Sequence, residues 1–242
     1  MTLRIAMWSG PRNISTALMR SWENRPDCSV VDEPFYAAYL ADTGLDHPCR
    51  EQILLTQSTD YGKVIEELTR TPVATALQYQ KQMTHHIPRG MAMDWCADFK
   101  HCFLIRDPAQ VIASYVQKMP DVNEDAIGIR RQAELFEQIA GLSGDVPLVI
   151  DSNDVLKNPE KVLGELCQRL GIEFYREAML HWPTGRRDSD GIWASHWYHN
   201  VEQSTGFGTY TQGEPELDAS QRELAQRMMP CYEQLAAQRI LP

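Results

Sequence analysis

An α/β fold, with a central parallel sheet and helices on both faces, is what this sequence predicts. Three observations carry that expectation. Short apolar runs alternate with longer segments of helical period. Two of those runs lead into an arginine with a helix start just beyond it, and the run at 101–105 is apolar after His101, as suits a strand covered on both faces. With 242 residues and no long Ser/Gly/Pro linker, one domain over 1–242 is expected, with a C-terminal loop and helix extension from about residue 182.

The apolar residues 5–9 make a first strand that runs into Gly10-Pro-Arg-Asn-Ile-Ser-Thr16 and a helix capped by Ser15 and Thr16. Such a helix start offers unpaired N–H groups and a partial positive charge, so an anion there needs one neighbouring cation, and Arg12 is that cation. Residues 28–31 read as a second strand ending in Asp32-Glu33-Pro34-Phe35. Ligands of parallel sheets bind outside the carboxyl ends of the strands, so Glu33 falls on the same rim as Arg12, either as a solvated loop carboxylate or as a base facing the site. Residues 36–60 have no steady period and read as short helices and loop over that rim.

A helix follows at 61–71, then a third strand at 75–83 carrying Lys81, with His85 and His86 at its end. Pro88 and Gly90 mark a turn before a helix at 91–99. After the strand at 101–105 come Arg106, Asp107 as an N-cap and Pro108 in the first turn. Val111, Ile112, Tyr115, Val116 and Met119 then share one helical face. A single amphipathic helix is expected at 124–142, with Leu135, Phe136, Ile139 and Leu142 facing inward, and a last strand at 147–150. Asn158-Pro159-Glu160 opens a helix with the stripe Val162, Leu163, Leu166, Cys167 and Leu170, which Gly171 stops; Leu224, Met228, Cys231, Tyr232 and Leu235 give the C-terminal helix its buried face. There is no internal repeat.

The balance of 43% hydrophobic and 23% charged residues is that of a folded chain and excludes disorder. A net charge of −10 argues against nucleic acid as a partner, so any anion must be held locally. No apolar run is long enough to span a membrane and no leader pattern opens the chain, so a cytoplasmic protein without membrane contact is expected. The six cysteines lack C-x-x-C pairs, which points to free buried thiols rather than disulfides or zinc. Nothing in the sequence sets the oligomeric state.

The first loop is not a Walker A sequence, because Ile14 stands where the lysine would be and Gly10 is the loop's one glycine. Phosphoryl transfer by a P-loop kinase is thereby disfavoured, and dependence on magnesium and ATP would be needed to revive it.

Three segments together resemble the sulfotransferase family, whose fold is related to P-loop nucleotide kinases. Gly10-Pro-Arg-Asn-Ile-Ser-Thr16 is similar to the family's Pro-Arg-Ser-Gly-Ser/Thr-Thr loop for the 5′-phosphosulfate. Phe103-Leu-Ile-Arg-Asp-Pro-Ala-Gln-Val-Ile-Ala-Ser-Tyr115 resembles its segment for the nucleotide 3′-phosphate, with Arg106 and Ser114 at the family's spacing, and it is the more specific match. Asn158-Pro-Glu-Lys-Val-Leu-Gly-Glu-Leu-Cys-Gln-Arg-Leu-Gly-Ile172 resembles the helix after the family's last strand. Two departures stand out. Asn13-Ile14 replaces the usual Ser-Gly, which stiffens the loop and brings a methyl-bearing side chain near the anion, and the family's Tyr-Glu-Asp-Leu is altered to Ile150-Asp-Ser-Asn-Asp-Val-Leu156.

The resemblance implies 3′-phosphoadenosine 5′-phosphosulfate (PAPS) as sulfuryl donor, a small-molecule hydroxyl or amine as acceptor, and no metal. It implies a cofactor site of Gly10, Pro11, Arg12, Asn13, Ile14, Ser15 and Thr16 at the phosphosulfate and Arg106 and Ser114 at the 3′-phosphate. Arg12 and the loop N–H groups would stabilise the leaving phosphate. Glu33 is then the first choice of base, against an ion pair or helix cap as its other reading. His85 competes, because Lys81-Gln-Met-Thr-His85 resembles the Lys-Thr-His of cytosolic members with shifted spacing; Lys81 would steady the transferring group. Arg186 and Arg187 resemble, in altered order, the basic Gly loop that closes on the 3′-phosphate, while Trp193, Trp197 and Tyr198 line either an acceptor pocket or the core. A catalytically inactive nucleotide-binding module is the alternative that the Asn13-Ile14 departure leaves open.

Overall fold

The structure, a computed structural model, describes residues 2–211, 213 and 215–241, with the Ser143 side chain left out. Strands β1 (Leu3–Ser9), β2 (Cys28–Asp32), β3 (Leu77–Met83), β4 (Lys100–Ile105) and β5 (Leu148–Asp151) form one sheet in the order β2-β3-β1-β4-β5. All four pairings are parallel. Period-two alternation sorts the two faces. Ile5, Met7, Cys102 and Leu104 point to one, and Ala6, Trp8, Phe103 and Ile105 to the other.

The first face is covered by α1 (Ser15–Glu23), α2 (Tyr36–Thr43) and α3 (Arg50–Thr56), with Leu18, Met19, Trp22 and Ile53 buried. The second takes Val64 and Leu68 of α4 (Tyr61–Arg70). Helix α5 (Pro108–Tyr115) packs Val111 and Ile112 in a third cluster with Ile127 of α6 (Glu124–Ile127), and α7 (Ile129–Ser143) returns to the second face. Helices α8 (Ser152–Lys157), α9 (Pro159–Leu170) and α10 (Arg176–Leu180) lie on the first face. The short α11 (Ala194–Trp197) and α12 (His199–Glu202) belong to a return segment over the carboxyl ends of the strands, and α13 (Ala219–Ala236) closes the second face.

The structure departs from the expected elements at four places. Residue Ile14, in a left-handed conformation without a side-chain cap, precedes α1, so Ser15 is the first helical residue and not its cap. Residues 91–99 hold only a single 3₁₀ turn at Asp94–Cys96. The expected helix at 124–142 is two, because Gly128 takes φ 65° between α6 and α7, and Leu142 is 38% exposed rather than inward. Helix α5 ends at Tyr115, before Val116 and Met119. The expected cap by Asp107 is present as side-chain bonds to the N–H groups of Ala109 and Gln110, and the helix expected to open at Asn158-Pro159-Glu160 is capped by the Asn158 side chain on the Lys161 N–H. All six cysteines are free.

Candidate active site

Strands β1, β2, β3 and β4 end side by side, and their following loops enclose a cleft of about 390 Å³. Its floor is the stretch from Pro11 to Ala17. Arg12 (φ 60°) and Ile14 (φ 57°) alternate with Asn13 in handedness, which turns successive N–H groups toward one side as anion-binding loops do. Three contacts hold this strained backbone. The Asn13 amide donates to the Leu104 carbonyl at 3.0 Å, the Ser152 hydroxyl donates to the Asn13 and Ile105 carbonyls, and Gly10 lies so close to the Ile127 carbonyl that a Cβ would sit 2.6 Å from it. The Asn13 side chain therefore anchors the loop to β4 through its Nδ2. Ile14 turns its side chain to the core cluster that holds Leu18 and Trp22.

From β4, Arg106 leaves the strand end and donates through Nη1 to the Arg12 carbonyl at 2.6 Å and through Nε to Gln110 at 3.2 Å. Arg12 Nε donates to Ser114 Oγ at 3.0 Å, so the first loop and α5 meet in one wall. Both guanidinium groups line the cleft, and neither has an ion-pair partner among the described residues. Burial lowers both pKa values, and for Arg106 the neighbouring Arg12 charge adds to the shift.

Glu33 and Lys81 stand at the opposite end. Lys81 Nζ is fully buried and donates to Glu33 Oε1 at 2.5 Å, Asp32 Oδ1 at 2.9 Å and the Tyr198 hydroxyl at 2.6 Å, so its three hydrogens are all engaged. Tyr198 Oη also accepts from Trp193 Nε1 and donates to Asp32. Burial raises the Glu33 pKa and the Lys81 charge opposes that rise; for Lys81 the two carboxylates outweigh burial and raise its pKa. His85 lines the cleft from the turn after β3, where burial and then the nearby His47 and Lys81 push its pKa down to about 3. His86 is stacked between Tyr36 and Tyr39.

Of the expected residues, the structure brings Pro11 to Thr16, Glu33, Lys81, His85, Arg106 and Ser114 to one cleft. Gly10 supports its floor from beneath. Arg186 and Arg187 do not line it: the former lies 3.7 Å from Glu202 and 58% exposed, and the latter is bonded to carbonyls of its own loop beside Glu23. Of the three aromatics left open in sequence, Trp197 and Tyr198 line the cleft, while Trp193 is core beneath them. Sequence reasoning missed Asp32, Tyr36, His47 and Ser152. Asp32 sits beside Glu33 at a strand end, a signal that was available; the others come together only in three dimensions.

The family model for the sulfotransferase domain matches residues 3–239. Two curated proteins of Arabidopsis thaliana, the branched-chain-amino-acid aminotransferase-like proteins 1 and 2, are 32% and 30% identical over 228 residues, 94% of this chain. The chain spans 40% of the length of each. Among solved structures, the sulfotransferase domain from the curacin biosynthetic pathway superposes with a TM-score of 0.55 at 17% identity, covering 100% of this chain and 99% of that one. A sulfotransferase from Alicyclobacillus acidocaldarius gives 0.57 at 13% identity (98% and 95%), and a mouse sulfotransferase complexed with PAP gives 0.53 at 16% (97% and 89%). At such identities the likeness is one of fold.

Proposed function

Because this chain belongs to the sulfotransferase domain family, we propose that its cleft binds PAPS and serves transfer of the sulfuryl group to a hydroxyl or amine of a small molecule. One observation carries the reading: the start of α1 converges with Arg106 and Ser114 in one cleft, with a buried carboxylate at its far end. The cleft suits the group, since its volume is that of a small-molecule site. It also sets two guanidinium groups without an ion-pair partner among the described residues in a protein of net charge −10, where a polyanion must be held locally.

When bound, the donor supplies a sulfuryl group on its 5′-phosphate, which is the leaving group. The N–H groups at the start of α1 and the hydroxyls of Ser15 and Thr16 stabilise negative charge on that phosphate. Arg106 and Ser114 hold the 3′-phosphate. Glu33 takes the acceptor proton: its burial lifts the carboxyl toward the operating range, and Lys81 keeps it ionised and oriented. His85, at about 3, is a much weaker base near neutral pH. With its three hydrogens engaged, Lys81 acts on Glu33 and not on the transferring group.

The aminotransferase-like name of the plant relatives is not carried over. The chain spans 40% of their length, and its buried Lys81 is held by two carboxylates, unlike a lysine that must form a Schiff base. Calorimetry with 3′-phosphoadenosine 5′-phosphate (PAP), adenosine 5′-phosphate and ATP tests the site. The expected result is preference for PAP that Arg106→Ala abolishes, with Glu33→Ala losing PAPS turnover over a panel of phenols, alcohols and amines while keeping PAP affinity. Preference for ATP with magnesium would replace the proposal with phosphoryl transfer. PAP binding without turnover by the unmutated protein would reduce it to a binding module.

A further inference from the structure

We infer that Asp32 and Tyr198 are positioning residues for Glu33: by sharing the Lys81 ammonium with it, they let Lys81 orient the carboxylate in the cleft without pairing it off, a role that rests on the sulfuryl-transfer reading above. Glu33 is set at the cleft by a left-handed backbone, φ 44°. Its own N–H on the Lys81 carbonyl and the Tyr36 N–H on its carbonyl, both at 3.1 Å, hold that conformation. A residue with a Cβ keeps it only where the surroundings fix it. From there Oε1 of Glu33 receives one hydrogen of Lys81, at 2.5 Å. The other two go to Asp32 Oδ1 at 2.9 Å and to the Tyr198 hydroxyl at 2.6 Å.

Two carboxylates thus share one ammonium, and their surroundings differ. Asp32 has a sealed side chain, 1% exposed, and takes three donors: Lys81, the Tyr198 hydroxyl at 2.7 Å and the Gly191 N–H at 3.3 Å. Glu33 is 11% exposed and lines the cleft. Donors favour the charged form of a carboxylate and a like charge beside it opposes that form, so a proton entering the trio goes to Glu33. Without Asp32, Lys81 and Glu33 would make a matched ion pair, and a matched carboxylate is a poorer base. Tyr198 comes from the return segment, where Trp193 Nε1 holds its hydroxyl at 3.0 Å, so that hydroxyl fixes how Asp32 divides Lys81 with Glu33. The groups facing Glu33 act in opposite directions: burial raises its pKa most, Lys81 from β3 lowers it, Asp32 from β2 raises it and the Tyr198 hydroxyl lowers it. From α2, Tyr36 is a phenol whose pKa burial raises, and His85 after β3 is an imidazole pushed down to about 3, so neither adds charge near neutral pH.

Carbon-13 carboxyl NMR of protein labelled at glutamate reads Glu33 directly, through the resonance that Glu33→Gln removes. In Asp32→Asn the like charge is gone and Lys81 is left to Glu33, so the titration midpoint of that resonance is expected to fall by at least about one pH unit. In Tyr198→Phe, Asp32 is short of a donor and draws Lys81 to itself, so the midpoint should rise, by less. With PAPS and the acceptor that the wild type turns over best, the acid limb of kcat/KM should move with the resonance. In Asp32→Asn it moves down and kcat falls by roughly 3- to 10-fold, as a weaker base works more slowly. PAP affinity should stay within about threefold of wild type. A network that only ties the return segment to the sheet would move both midpoints the same way or neither, and either result overturns the inference. If Asp32→Asn fails to fold, Tyr198→Phe decides alone, an unmoved or lowered midpoint overturning it. Opposed shifts in a protein that binds no PAP would overturn the sulfuryl-transfer reading and the role of the two residues in it. Absent shifts in a protein that binds PAP overturn the positioning alone.

Discussion

At Ile14 two opposing effects are close in size. A left-handed backbone (φ 57°, ψ 16°) costs a residue with a Cβ about 1–2 kcal/mol, and more when it is β-branched. Against that, the side chain is partly buried on the core cluster beneath α1. Ile14→Gly removes the strain and the packing together, so its stability should fall within about 1 kcal/mol of wild type. Ile14→Ala keeps most of the strain and loses the packing, and it should be the less stable of the two by about 1 kcal/mol. Urea midpoints of the two variants decide it; alanine outranking glycine would mean that the loop is not strained. The same residue shows what the sequence left illegible. Its place in the loop exposed the departure from the family's glycine, but only the fold shows that the side chain packs partly against the core while the residue still lines the cleft.

Elements bounded by their own chemistry were legible: the cap at Asp107, the helix opened at Asn158-Pro159-Glu160 and the strand at 101–105 all appear where their residues put them. Elements defined by a neighbour were not. The period over 124–142 is continuous, yet Gly128 breaks it in a left-handed conformation, and the Ile127 carbonyl just before it lies against Gly10. A Cβ on Gly10 would meet that oxygen at 2.6 Å, and both groups are backbone, so neither can swing aside. Gly10→Ala is therefore expected to cost about 1–3 kcal/mol, as overpacking does, by driving α6 and the loop apart. PAP affinity should fall with it, since the same loop forms the cleft floor. Unchanged denaturation and unchanged PAP titration would show that the contact is not a constraint. The site was half legible for the same reason: the residues of each loop could be read from the sequence, whereas the Asp32, Lys81 and Tyr198 network joins segments far apart in the chain.

Across the whole molecule, burial of neutral imidazoles sets how stability answers to pH. Burial pushes His85 down to about 3, His101 to about 4 and His86 well below the ordinary value. His101 is held in one neutral form, with Nδ1 accepting from Trp8 and Nε2 donating to the Cys96 carbonyl. These groups bind protons in the unfolded chain at pH values where the folded chain does not. Their contribution is thus fully present above about 6.5, the unfolded pKa, and is lost as pH falls toward the folded values. An opposing effect comes from net charge, which shrinks from −10 toward zero at the pI of about 5.2 and relieves self-repulsion. By pH 5.5 each imidazole kept neutral costs roughly 1 kcal/mol, a buried and specific term, whereas surface repulsion is screened within about 10 Å at moderate salt. The imidazoles should win, and urea midpoints at 0.15 M salt should fall steadily from pH 7.5 to 5.5. His86→Phe keeps the stack between Tyr36 and Tyr39 and removes one titrating group, so its midpoint should fall less over the same range. A midpoint that rises toward the pI, or an unaltered slope in His86→Phe, would show that charge repulsion and not the buried rings governs the acid side.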